Sequence, residues 1–227
     1  MFKKIILLLF ISVLFVPCAK ATHLMGGEIT WECQSNGKYI FYMKIYRDCN
    51  GISFGFLSGI NLTVSNNPAV TSIPMNYIFP STDISPQCTQ VTGSAVPFSC
   101  GTRQSDGTYS GNAGTGAGAV EELRFKSNQT TLAGVPNATN GWVFSYSPSG
   151  NRNNAITNLA NPGGLGFTIR AKMFPYKVNN IPKNANPCYD SSPSFAERPS
   201  TIICKGYPFT YNHNANDSGG SLCKRWG

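Results

Sequence analysis

Two histidines and ten acidic residues bound the chemistry this chain can attempt. His23 stands near a small-x-small cleavage pattern, Ala19-Lys20-Ala21, which places the mature start at Thr22. An N-terminal copper clamp needs its imidazole on the first residue, so a histidine in second place is not expected to form one. His213 lies in Tyr211-Asn-His-Asn-Ala-Asn-Asp217, and no Gly-x-Ser-x-Gly motif or orienting acid accompanies it. It reads as a surface-loop residue. Glu121 and Glu122 are adjacent, so on a strand they point to opposite faces and cannot share a substrate. Glu28 and Glu32 share a face, where they are expected as solvent-side partners of lysines, not as the spaced acid and base of a glycosidase. Asn212, Asn214, Asn216 and Asp217 offer hard oxygen ligands beside a Gly-Gly turn, a calcium candidate with one carboxylate. No catalytic residue is expected, and calcium is the sole cofactor candidate.

Cysteine and the leader set the compartment. Lys3 and Lys4 precede the apolar run Ile5 to Val16, which is shorter than the ~20 residues a spanning helix needs. Residues 1–21 therefore read as a cleaved signal peptide, with no transmembrane segment in the mature chain. Three lysines leave with it, and net charge falls from +8 to +5. No basic run remains, so nucleic acid is not an expected partner. Charged residues are 12% of the chain, as suits an extracellular β protein. Cys33, Cys49, Cys88, Cys100, Cys188 and Cys204 are disulfide candidates in fifteen possible connectivities, and Cys223 is left unpaired. Zinc would require Cys-x-x-Cys or His-x-His spacing, and the chain has neither.

The elements that must position these groups read as strands. Asn36-Gly37 predicts a two-residue type I′ hairpin. Its register would set Cys33 against Ile40 and Cys49 against Leu24, so the two cysteines must find partners elsewhere. Tyr39, Phe41, Met43 and Ile45 form one face, and Ile40, Tyr42, Lys44 and Tyr46 the other. The first face is expected to be core. Further strands are predicted at 60–64, 77–79, 121–126, 142–146, 166–174, 201–204 and 209–211, interrupted by Pro and Gly as in sandwiches and barrels. The glycine-rich stretch 111–118 lacks Gly-Lys-Ser/Thr and reads as a loop, not a phosphate cradle. Asn61, Asn128, Asn137 and Asn216 begin Asn-x-Ser/Thr triplets, which matter only in a eukaryotic secretory pathway. The expected fold is all-β: a disulfide-stapled, antiparallel, sandwich-like region over 22–215. It forms one domain or two, with a boundary in 100–120.

Several islands resemble a family. His23-Leu-Met-Gly-Gly-Glu-Ile-Thr-Trp31 and Tyr46-Arg-Asp-Cys-Asn-Gly51 are similar to the start of large gliding-motility-associated, adhesin-like surface proteins of Bacteroidetes, exported by the type IX system. The resemblance resumes at Trp142–Tyr146, Arg152–Asn158, Gly166–Ala171, Asn186–Pro193 and Ile203–Ala215, about half the chain after the leader. It implies a β module at the bacterial cell surface or secreted, ordinarily followed by immunoglobulin- or cadherin-like repeats and a sorting domain. It implies no catalytic residues. The chain departs from the family in three places. Gly150-Asn151 stand where a cysteine pair is usual. Asp217-Ser-Gly-Gly-Ser-Leu222 replaces a more acidic stretch, and no sorting domain follows. Residues 216–227 thus read as a divergent tail, with the reading frame expected to break near Gly219 or a further domain cut short.

The expected function is therefore a non-catalytic structural or adhesive module, with an extracellular glycan or protein as partner. The competing expectations are a secreted carbohydrate-active enzyme or carbohydrate-binding module, and a gene fragment without independent function.

Overall fold

An alternating run of apolar side chains needs a partner strand on each side and a covered face, and the chain supplies both from one antiparallel sheet. The computed structural model describes residues 24–51, 53–55, 57–85, 98–111, 118–148, 160–161, 165–175, 177–179, 181–182, 191–195 and 215–216. Residues 1–21, expected to be a signal peptide, lie outside them, as do the predicted strands 201–204 and 209–211. Eight strands form the main sheet. They are β1 (Leu24–Cys33), β2 (Tyr39–Asp48), β3 (Ile60–Ser65), β4 (Ser72–Tyr77), β5 (Thr82–Asp83), β6 (Val120–Ser127), β7 (Trp142–Tyr146) and β8 (Ile169–Met173). Their spatial order is β1-β2-β6-β4-β3-β7-β8, with β5 continuing the β4 side of β6. Strands from both sides of the 100–120 interval share this sheet. Two small pairs, β9 (Lys177–Val178) with β10 (Ile181–Pro182) and β11 (Ser194–Phe195) with β12 (Ala215–Asn216), complete the described strands.

The fold is all-β, but its layers come from one sheet that curls nearly into a closed barrel. Seven positions joined by six antiparallel pairings leave the end strands, β1 and β8, running parallel. They lie side by side without a hydrogen-bond ladder. At this seam a Cβ at Gly27 would come within 2.3 Å of Ile169 Cδ1 and 2.5 Å of the Lys44 carbonyl oxygen, so only a bare backbone fits. Farther along, Ser191 and Ser192 cover the free edge of β1. The Trp31 amide donates to Ser192 Oγ at 2.8 Å, the Ser192 amide to the Trp31 carbonyl at 2.9 Å, and the Cys33 amide to Ser191 Oγ at 3.0 Å. An edge so occupied cannot template pairing with another chain.

The hairpin forms with a different turn. Gln34 N donates to Lys38 O at 2.8 Å, enclosing a three-residue loop in which Gly37 alone takes a left-handed φ of 79°. Asn36 does not adopt positive φ; its Oδ1 accepts from the Lys38 amide at 3.1 Å. The longer loop moves every partner by one residue, so Cys33 faces Tyr39 and Trp31 faces Phe41, correcting the expected Cys33–Ile40 pairing. A bulge between Leu24 and Gly26 sets Leu24 against Arg47 and not Cys49. Parity within β2 is untouched. Tyr39, Phe41, Met43 and Ile45 are all buried, and Phe41 meets Phe144 of β7 at 4.6 Å between ring centroids.

Strands β3, β6, β7 and β8 fall where the apolar patterns predicted them, within a few residues. The strand expected at 77–79 ends at Tyr77. Between the pairs Tyr77↔Phe125 and Thr82↔Glu122 the β4 side carries two extra residues. That excess throws Phe79 onto the surface, where it is 64% exposed.

Candidate functional site

The inward row of β2 does not stop at Ile45: the next core-facing residue is Arg47. Its opposite number across the β2–β6 ladder is Glu121, and both side chains are 0% exposed. A guanidinium and a carboxylate taken out of water require each other and a full set of hydrogen bonds. Arg47 Nε and Nη2 donate to Glu121 Oε2 at 2.8 and 2.5 Å. Arg47 also donates to the carbonyls of Gly51 at 3.1 Å and Tyr109 at 3.0 Å. Glu121 Oε1 accepts from Ser81 Oγ at 2.5 Å and from the Tyr109 amide at 3.0 Å.

Around the pair, loop 98–111 is lashed to the sheet. Cys49 and Cys100 form a disulfide with Cα atoms 5.0 Å apart. Asp83 accepts from the amides of Ser85 and Cys100, both at 2.9 Å. Arg103 donates to the carbonyls of Ser81 and Gly107, both at 2.7 Å, and its guanidinium lies 4.6 Å above the Tyr109 ring. Every polar atom of this cluster that could act as an acid or base is spent on architecture.

The other glutamates among the described residues are also engaged. Glu122 lies on the opposite face of β6 from Glu121, as strand alternation requires, with Arg124 Nε at 4.0 Å. Glu28 pairs with Lys44 at 2.5 Å, while Glu32 accepts from the Tyr42 hydroxyl at 3.1 Å and not from a lysine. Cys33 is disulfide-bonded to a cysteine outside the described residues. Cys88, Cys188, Cys204, Cys223, His23, His213, Asn212, Asn214 and Asp217 likewise fall outside them. Asn216, in β12, is exposed and its carbonyl accepts from Ser194 Oγ at 3.3 Å. No cluster of metal-ligating side chains occurs among the described residues.

Sequence reasoning passed over both Arg47 and a neighbouring cleft. For Arg47 a signal existed, because the row Tyr39, Phe41, Met43, Ile45 runs on to it without a change of parity. At the same end of the sheet, where β1 and β3 begin and β7 finishes, a cleft of about 420 Å3 opens to solvent. Buried Leu24, Phe54 and Ile60 form its apolar floor. Asn61, Thr63 and Ser147 form an exposed polar rim, and Tyr146 closes one wall. Tyr146 is 9% exposed, and burial raises its hydroxyl pKa to about 12. No charged side chain lines the cleft among the described residues. No family profile, curated protein or solved structure matches this chain.

Proposed function

We propose that the chain is a non-catalytic, exported β module, displayed at the bacterial surface or secreted, with a structural or ligand-binding role in an adhesin-like, gliding-associated protein. The observation that carries this reading is the fate of Glu121. The carboxylate closest to a catalytic constellation, with an arginine and a serine beside it, is walled off from solvent and saturated with hydrogen bonds. A general acid or base must reach the substrate's proton, and this one cannot. The uncharged cleft at the same end favours a carbohydrate-binding module over a hydrolase as the second reading.

The test is to incubate the purified protein with soluble and insoluble polysaccharides and with intact bacterial cells, following both retention and product formation. Retention on a glycan or cell surface without new reducing ends or oxidised products is the expected result. Sustained release of either product, lost on heat denaturation, would replace this reading with the enzymatic one.

A further inference from the structure

We infer that the cleft between the start of β1, the start of β3 and the end of β7 is a binding site for a neutral pyranose ring of a saccharide. This rests on the ligand-binding side of the proposal above and names its ligand class. The volume of about 420 Å3 lies within the range of small-ligand sites. Its floor is apolar and includes the aromatic ring of Phe54, a surface suited to the C–H face of a sugar.

The polar groups lie on the rim and wall, where a ring's equatorial hydroxyls would project. Thr63 brings a hydroxyl, and Ser147 brings one that is already shared with Thr168 Oγ1 at 2.9 Å. The Asn61 amide nitrogen donates to the Gly59 carbonyl at 2.9 Å, while its Oδ1 has no partner among the described residues. The Tyr146 side chain is nine-tenths buried and lines the cleft, and its hydroxyl makes no hydrogen bond among the described residues, so it can donate to a ligand oxygen there. The described lining residues carry no charge, so among them an anionic or cationic ligand would lose its hydration without compensation. At Thr63 the ladder is filled by Ser72 on one side and Ser145 on the other, so a peptide cannot add a strand at that position.

The experiment titrates the isotopically labelled full chain with neutral methyl pyranosides (glucoside, galactoside, mannoside), their short β- and α-linked oligomers, and a methyl uronate salt, reading amide shifts. At least one neutral glycoside should move the amides of Asn61, Thr63 and Ser147, with an affinity unchanged by added salt. Tyr146→Phe should weaken that binding about three- to tenfold while keeping the ring in place. Gly55→Phe should abolish it. Gly55 lines the cleft and a Cβ there meets no atom within 4 Å, so the new ring is accommodated outside the core. Thr63→Trp blocks the opposite wall and serves if the first variant misfolds. No response at these amides to any neutral probe, response to the uronate alone, or binding that survives both blocking variants would overturn the assignment. Breakdown of the oligomers would defeat the non-catalytic reading instead, and the blocking variants would still decide whether this cleft holds the sugar.

Discussion

Arg47 and Glu121 carry a large single-residue stake in the fold. Each has been stripped of water, and each is acceptable only because the other neutralises it. Glu121→Ala should therefore cost about 3–5 kcal/mol in urea unfolding, because it strands a buried guanidinium. Changing both at once, Arg47→Met with Glu121→Leu, should cost far less than the sum of the single changes. An additive cycle would show that the two side chains act independently. Tyr146 makes a second residue-scale prediction. Its folded pKa of about 12 exceeds the ordinary tyrosine value of 10.0, so the unfolded chain releases this proton first. The stability it contributes is complete below pH 10 and is lost as pH rises toward 12. Burial also raises the Tyr77 pKa, which acts in the same direction. Unfolding midpoints measured across this window should fall for the native chain and fall less steeply for Tyr146→Phe.

Two glycines govern how the elements meet. Gly27 sits where β8 presses on β1, and an added methyl would strike both the Ile169 side chain and the Lys44 backbone oxygen. The side chain can swing aside, but the backbone of β2 cannot. Gly27→Ala is expected to destabilise the sheet by roughly 1–3 kcal/mol, and Ile169→Val should recover only a fraction of it. Full recovery would mean that the side-chain contact alone sets the seam. Gly37 holds the left-handed position of the β1–β2 loop, so Gly37→Ala should cost about 1 kcal/mol, measured by thermal unfolding. Asn36→Ala should cost less, because it removes one loop hydrogen bond to an exposed amide.

For the molecule as a whole, the covering of the sheet's polar end depends on a long link. The Cys49–Cys100 disulfide spans 51 residues, and closing a loop of that length in the unfolded chain contributes about 4 kcal/mol of stabilisation. Cys49→Ala with Cys100→Ala should lower the unfolding free energy by that order and loosen loop 98–111 first, read as faster amide exchange at Tyr109 and Gly107. Uniform exchange across the sheet would contradict a local tether. Much of this plan is legible in the residues. Strict alternation from Tyr39 to Ile45 sets the core face of β2, Asn36-Gly37 marks a hairpin, and Trp142–Tyr146 is a strand with its boundaries as read. These are properties of period and local turn chemistry, which a strand expresses whatever surrounds it. The register of that hairpin was not legible, because a two- and a three-residue loop use the same two residues. The choice between them falls to burial of β1: only the longer loop sets Ile29 and Trp31 on the core face beside Met43 and Phe41. Nor was the partner of Arg47, 74 positions away in the chain, or the cleft, whose floor gathers residues from β1, β3 and the loop after β2. By itself the sequence determined an all-β chain with a buried aromatic row and cysteines that look beyond their own hairpin. Tertiary structure alone decided that Cys49 meets Cys100, that the sheet curls back on itself, and where uncharged polar groups converge. Those outcomes depend on long-range strand order, and no local pattern encodes that order.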